Sequence, residues 1–409
     1  MENAKTSRTV NAGAAANQVR SVSRTDRLPI WSLLALSMAG FMAIMTETMP
    51  AGLLLQIGRG LGISEALAGQ FVTLFAVGSV AAAIPLMTAT RSWSRKRVLL
   101  LALGSLFVFN AVTAVSAHYA VTLIARFAAG MATGLIWGLL AGYARRMVPP
   151  SRQGRALAIV GVGQPVALSL GVPIGTWLGT MWDWQVIFGI LSALTFALIV
   201  WVWSAVPDYP GQAAHQRQPI RHIFMMPGVR LVLFVLFVWI LAHNVLYTYI
   251  APFLTHAGLA GRLDLALLIF GISSLAGIWL TGMLVDGRLR TLTLLSLAGF
   301  AVASLLLGFA GAQPLWIYIG VSAWGLTFGG GPTLLQTAIA DAAGEGADMA
   351  QSMLVTVFNV AVAGGGVIGG LLLERAGPGS FPWVLVALSL AGLLAVWRSK
   401  TRVFQDRSA

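Results

Sequence analysis

Two ionisable residues other than histidine stand deep inside long apolar runs of this 409-residue chain: Glu47, in MTETMPAGLL, and Arg126, in RFAAGMATG. Insertion scales charge roughly 2.5–3.5 kcal/mol for an arginine or an acid at the centre of a membrane helix, so such residues turn to a cavity or a partner. At 1.5 Å per residue, Glu47 lies roughly 14 Å and Arg126 roughly 11 Å from the outer ends of their runs, depths similar enough for a pair. Two chemistries fit. An acid that moves between a wet and a dry setting loads and releases a proton, and a nearby guanidinium tunes that exchange. Alternatively, a permanent ion pair locks two helices together. The first reading makes Glu47 and Arg126 proton-coupling residues.

Other chemistries lack their residues. The chain has no cysteine, no Gly-x-x-x-x-Gly-Lys-Ser/Thr loop and no His-Glu-x-x-His string, so thiol, nucleotide and zinc chemistry have no ligands. Neither a cofactor, a metal nor an enzyme is expected. Eight polar residues do lie within apolar runs: Asn110, Gln164, His243, Asn244, Tyr247, Tyr249, Gln336 and Asn359. Bonds between helices explain most such residues. His243 also titrates near neutral pH when unperturbed.

The elements that must hold these residues are membrane helices. The chain is 57% hydrophobic and 10% charged, with a mean hydropathy of +0.83, whereas a soluble globule carries roughly 25% charged residues. Apolar runs of about 20 residues are long enough to cross a bilayer core. Twelve are expected, near 30–56, 66–90, 98–117, 119–144, 155–179, 185–206, 229–254, 264–285, 291–311, 314–340, 350–373 and 382–397. With the N-terminus inside, cytoplasmic segments hold 22 of the 26 Lys and Arg and the opposite face three, Arg59, Arg262 and Arg375. That asymmetry places both termini in the cytoplasm. The net charge of +13 is spread over short loops, so no nucleic-acid partner is expected. The polar, Arg-rich residues 1–29 have no apolar core and read as a tail rather than a cleavable signal.

The expected organisation is therefore a tail (1–29), a six-helix bundle (30–206), a cytoplasmic linker (207–228), a second six-helix bundle (229–397) and a second tail (398–409). The bundles are related to each other. An offset of 195 aligns Phe75 with Phe270, Gly130 and Gly134 with Gly325 and Gly329, Gly171 and Gly175 with Gly366 and Gly370, and Gln164 with Asn359. The first and seventh runs need an offset of 202, which sets Pro50 on Pro252 and Glu47 on Tyr249. Parallel six-helix repeats are an architecture of secondary transporters that bind substrate near the midplane. The glycine runs of spans five and eleven read as close contacts between the halves.

TETMPAGLL, LGISEALAGQ, RFAAGMATG, LGVPIGTWLG and YTYIAPFL together resemble the major facilitator superfamily, and within it the twelve-span drug:proton antiporters of the arabinose-efflux-permease type. The resemblance implies an all-α membrane protein, two pseudo-symmetric bundles and alternating access. Arg126 with Gly130 and Gly134 is similar to motif B, whose arginine is implicated in proton coupling. Gly171, Pro173, Gly175 and Gly179 resemble motif C, which marks exporters. The loop between spans two and three departs from the superfamily pattern, with Met87 and Arg91 where glycine and aspartate are usual; its counterpart in the second half keeps Gly282, Asp286, Arg288 and Arg290. Spans one, four, seven and ten line the central cavity in this family, which favours Trp137, His243, Tyr247, Tyr249, Trp324 and Gln336 as substrate contacts, with Asn359 added from span eleven. The resemblance implies a monomeric, proton-driven exporter of small, partly apolar molecules such as drugs or metabolites in a bacterial inner membrane. An uptake symporter or facilitator for sugars or nucleosides is the alternative.

Overall fold

Long apolar runs become helices here, and proline and glycine decide where those helices break. The computed structural model describes residues 28–83, 85–90, 92–149, 152–211, 220–285, 288–311, 313–344 and 347–399. The principal helices are α1 (Ile30–Gly52), α2 (Glu65–Ala83), α3 (Arg95–Val115), α4 (Tyr119–Arg146), α5 (Arg155–Met181), α6 (Trp184–Ala205), α7 (Pro227–Thr248), α8 (Leu263–Leu284), α9 (Leu289–Phe309), α10 (Pro314–Gly329), α11 (Ala347–Ala376) and α12 (Phe381–Arg398). Among the described residues, eleven helices are long and apolar enough to cross a membrane. The run expected at 314–340 is instead two pieces, α10 and Gly331–Ala343. Its sequence supplies the cause: Pro332 has no N–H to offer the Phe328 carbonyl, and Gly329–Gly331 give the backbone freedom to turn.

Prolines break two further helices at related places. Pro50 removes the donor for the Thr46 carbonyl, and α1 gives way at Leu53 to Leu54–Leu61. Pro252 does the same for the Thr248 carbonyl, and α7 gives way at Tyr249 to Ile250–His256. In α5 the chain passes through a π-turn, Ala167–Gly171, just before Pro173.

The sequence repeat recurs as a repeat of contacts. A Cβ on Gly130 would run into the Phe75 backbone oxygen and one on Gly134 into that of Ser79, so α4 crosses α2 with the backbones nearly touching. On adding 195, Gly325 meets the Phe270 oxygen and Gly329 that of Ser274, so α10 crosses α8 in the same way. Small residues at such crossings permit the close packing that drives helix association in lipid.

The two halves meet along α2 with α11 and along α5 with α8. Gly366 of α11 lies against Thr73 of α2, and Gly271 of α8 against the backbone of Ser169 in the π-turn. The glycines of α5 depart from expectation. Gly171 faces Met45 and Phe41, Gly175 faces Met49, and Gly179 faces Leu53. All of these partners are on α1 or just beyond it, so motif C packs within its own half. The reason is register: residues four apart keep one face on α1, which leaves the face bearing Ser169 for the other half.

The start of the linker is pinned to the first half. Tyr143 donates to the Pro207 carbonyl (2.7 Å), Arg146 to that of Pro210 (2.9 Å) and the Arg95 backbone N–H to that of Tyr209 (2.8 Å). Asp208 accepts hydrogen bonds from the Ser94 hydroxyl and the Lys96 backbone N–H at the N-terminus of α3. In the second half, Arg290 grips the end of α12 through the carbonyls of Trp397 and Ser399. Arg288 is exposed, and Gly282 has open space around it. Asp286 and Arg91 lie outside the described residues.

Candidate functional site

Thr46 and Glu47 are neighbours on α1, so their side chains leave the helix about 100° apart. They enter different environments. Because Pro50 frees the Thr46 carbonyl, that oxygen needs another donor, and Arg126 of α4 supplies it at 2.8 Å. A second Arg126 nitrogen donates to Asn110 Oδ1 of α3 at 3.0 Å, while Asn110 Nδ2 donates to the Thr46 hydroxyl at 3.0 Å. The triangle is closed, and Thr46, Asn110 and Arg126 are each 0% exposed. The guanidinium lies 5.5 Å from the ring centre of Phe75 and 5.0 Å from that of Phe188, both within cation–π range.

Glu47 takes no part in this triangle. Its carboxylate receives no hydrogen bond from a described residue, and it keeps 7% of its surface open where Arg126 keeps none. No ion pair joins Glu47 to Arg126 in this arrangement: the arginine is committed to Thr46 and Asn110 inside the first half. The Tyr247 hydroxyl of α7 is buried with no hydrogen-bond partner among the described residues. The Thr48 hydroxyl itself donates back to the Ile44 carbonyl at 2.7 Å, so its lone pairs remain available.

Behind Tyr247 stands a cluster of rings belonging to the second half. His243 lies face to face with Phe328 of α10, with ring centres 3.7 Å apart and planes at 4°. Around it are Tyr247 (5.1 Å), Trp324 (5.3 Å) and Phe270 of α8 (5.7 Å), while Phe270 and Trp324 approach to 4.4 Å. The polar edges of this cluster are unsatisfied. His243 Nδ1, Tyr247 Oη, Trp324 Nε1 and Trp239 Nε1 are all buried with no hydrogen-bond partner among the described residues. A buried polar atom left unpaired costs roughly 1–3 kcal/mol.

The remaining sequence candidates divide. Trp137 is half-buried on α4 and packs against α1 at Gly40. Asn359 is buried, with its amide bonded to the Val355 carbonyl of its own helix at 2.9 Å. Gln336 is exposed on the short helix after α10. Tyr249 is fully buried and reaches across the halves, donating to the Gly366 carbonyl of α11 at 2.7 Å with the Ala66 carbonyl of α2 at 3.4 Å. Gly69, Gly369 and Gly370 form its cradle, since a Cβ on any of them would strike the phenol. Tyr249 shares Glu47's place in the repeat, yet its hydroxyl is bonded to backbone carbonyls of α11 and α2.

Phe270, Phe328, Thr46 and Thr48 were not among the sequence candidates. The repeat carried a signal for one of them: Phe270 is Phe75 plus 195, and each ring lies beneath a cationic or potentially cationic side chain of its own half.

Residues 36–350 match the model of the Major Facilitator Superfamily. The chain belongs to that superfamily. Among the relatives of this superfamily member, it is 30% identical over 343 residues to the purine ribonucleoside efflux pump NepI of Shigella sonnei, covering 82% of this chain and 85% of the pump. It is 29% identical over 355 residues to the transcription regulatory protein OpdE of Pseudomonas aeruginosa, covering 85% of this chain and 88% of OpdE. The fold is also that of the human organic anion transporter MFSD10 (TETRAN), with a TM-score of 0.68 at 16% identity over 90% of this chain and 99% of the other. This major facilitator protein is thus a multi-pass membrane transporter.

Proposed function

We propose that the protein is a proton-coupled antiporter that exports small, partly apolar molecules by alternating access from a bacterial inner membrane, with purine ribonucleosides as the first class to test. The observation that carries this reading is the state of Glu47: an acid buried on α1, in a chain whose second half holds a cluster of rings with unfilled donors, and with no ionic partner among the described residues. The NepI relatives support efflux and suggest the nucleoside class. The aromatic faces and unsatisfied edges suit a heteroaromatic base and a ribose.

In this reading α10 and Gly331–Ala343 make a twelfth crossing, both termini are cytoplasmic, and the protein works as a monomer. The end carrying Leu54–Leu61 and Ile250–His256 then faces outside, and the Tyr249 bridge holds that side shut. Glu47 loads its proton from outside and releases it inside, where substrate enters. Arg126 holds α1 in shape through the Thr46 carbonyl.

The test is proton release driven by adenosine, guanosine or inosine in proteoliposomes. Wild type releases protons on substrate addition, and Glu47→Gln releases none while still exchanging labelled nucleoside. Undiminished release by Glu47→Gln overturns the assignment. Uptake symport or facilitated diffusion is separated by imposing a pH gradient on right-side-out and inverted vesicles: export requires accumulation in the inverted ones.

A further inference from the structure

Where the first half gives way to the linker, the protein holds a cavity of about 90 Å³. That is several times the room that one ordered water needs. Glycine keeps it open: Gly138 and Gly142 stand about one turn apart on α4, and a Cβ on Gly142 would meet nothing within 4 Å. Met87, on the short helix Pro85–Ala89, lies against Gly138. Tyr143 and Tyr209 supply further wall, edge to face with ring centres 5.5 Å apart.

Two arginines line this cavity, Arg95 at the start of α3 and Arg146 at the end of α4, and no carboxylate among the described residues does. Both are anchored by the linker. The Arg95 backbone N–H donates to the Tyr209 carbonyl at 2.8 Å, and Arg146 spends one nitrogen on the Pro210 carbonyl at 2.9 Å. Asp208, the acid beside Tyr209 in the chain, is turned to the Ser94 hydroxyl and the Lys96 backbone N–H. The lining therefore has an excess of positive charge, in the planar form that matches the oxygens of a phosphate group.

The surroundings name the source of the phosphate. Trp93 and Trp203 are exposed at this end of the bundle, as is Trp31, whose ring packs edge-on against Trp201 near the end of α6. Exposed tryptophans collect where a membrane meets water, and Lys96 reaches from α3 to the Trp203 carbonyl at 2.7 Å. We infer that this cavity binds the phosphate group of an anionic phospholipid headgroup. Basic pockets between membrane helices on the cytoplasmic side take such headgroups. A phosphate held there joins the ends of α3 and α4 through the two arginines that already hold residues 209 and 210 of the linker. The site is independent of the transported substrate and of the direction of transport.

The experiment is native mass spectrometry of the full chain in detergent, with equal amounts of phosphatidylglycerol and phosphatidylcholine added, and with inorganic phosphate as competitor. Wild type should retain phosphatidylglycerol about fivefold over phosphatidylcholine, and Arg146→Gln should bring that preference to within about twofold. Arg146→Gln also weakens the hold on Pro210, so the deciding variant is Gly142→Leu, which fills the cavity and leaves every charge in place. It should lose the preference as fully. Gly142→Val, a smaller plug, takes its place if Gly142→Leu does not fold. Arg97→Gln, which removes an exposed charge on α3 outside the cavity, should keep the wild-type preference. Undiminished preference in the plugged variant overturns the cavity as the site. An equal loss in Arg97→Gln overturns it as well, because charge spread over the surface is then what binds. Equal retention of the two lipids by wild type overturns the inference outright, and displacement of phosphatidylglycerol by inorganic phosphate at equal concentration assigns the cavity to the free anion and overturns the lipid.

Discussion

At the scale of single residues, the informative contrast is between Arg126 and Glu47, both buried on neighbouring helices and differently engaged. Arg126 spends its planar fork on two acceptors, the Thr46 carbonyl and Asn110 Oδ1. A lysine offers one point charge and cannot hold both. Arg126→Lys should therefore cost about 1.5–3 kcal/mol, the range of a hydrogen bond to a charged group, read as a lower Tm in detergent. Glu47→Gln should leave Tm nearly unchanged, because no described residue bonds its carboxylate. Equal losses in the two variants would restore the ion-pair reading. Glu47, Arg126, His243 and Tyr247 were legible in the sequence because a polar group in an apolar run has to be explained. Phe270 and Phe328 were not, since phenylalanine in a membrane run is ordinary composition.

Helices were legible wherever some 20 apolar residues ran on, and less so where glycine and proline interrupt them, as at Gly329–Pro332. Crossing geometry gives a paired expectation. Gly325→Ala drives a Cβ into the Phe270 backbone oxygen, so α8 and α10 must part, at about 1–3 kcal/mol of stability. Gly282→Ala, on the same α8 with nothing within 4 Å, should be neutral or slightly stabilising through helix propensity. Chemical denaturation of each variant checks both. At the start of α3, slight desolvation pushes the Asp208 carboxyl up, but the Ser94 hydroxyl and the backbone N–H groups of Lys96 and Tyr209 outweigh it and hold the carboxyl below its usual range. The cap is therefore fully present above the unfolded carboxylate range and is lost as pH falls through the lowered folded value. Asp208→Asn should slightly loosen the linker's hold on the first half and remove this acid sensitivity, measurable as limited proteolysis of the linker against pH.

For the molecule as a whole, the question is which end is shut. Tyr249 bonds both halves at once, through Ala66 of α2 and Gly366 of α11. Removing its hydroxyl deletes about 1 kcal/mol of net bonding, enough to shift a two-state balance roughly fivefold toward opening at that end. The chain has no cysteine, so Ala66→Cys can be labelled alone; a membrane-impermeant thiol reagent should modify it several-fold faster when Tyr249→Phe is added. An unchanged rate would mean that the bridge is not what closes this end. The sequence by itself determined the membrane class, the runs, the repeat and the family motifs, because each is set by local composition or by spacing along the chain. Only the tertiary structure decided that Arg126 serves a carbonyl freed by Pro50, that Tyr249 bonds backbone carbonyls of α11 and α2, and that motif C packs on α1. Those outcomes depend on which face of each helix turns to which neighbour, and 3.6 residues per turn sends side chains one or two positions apart to different partners.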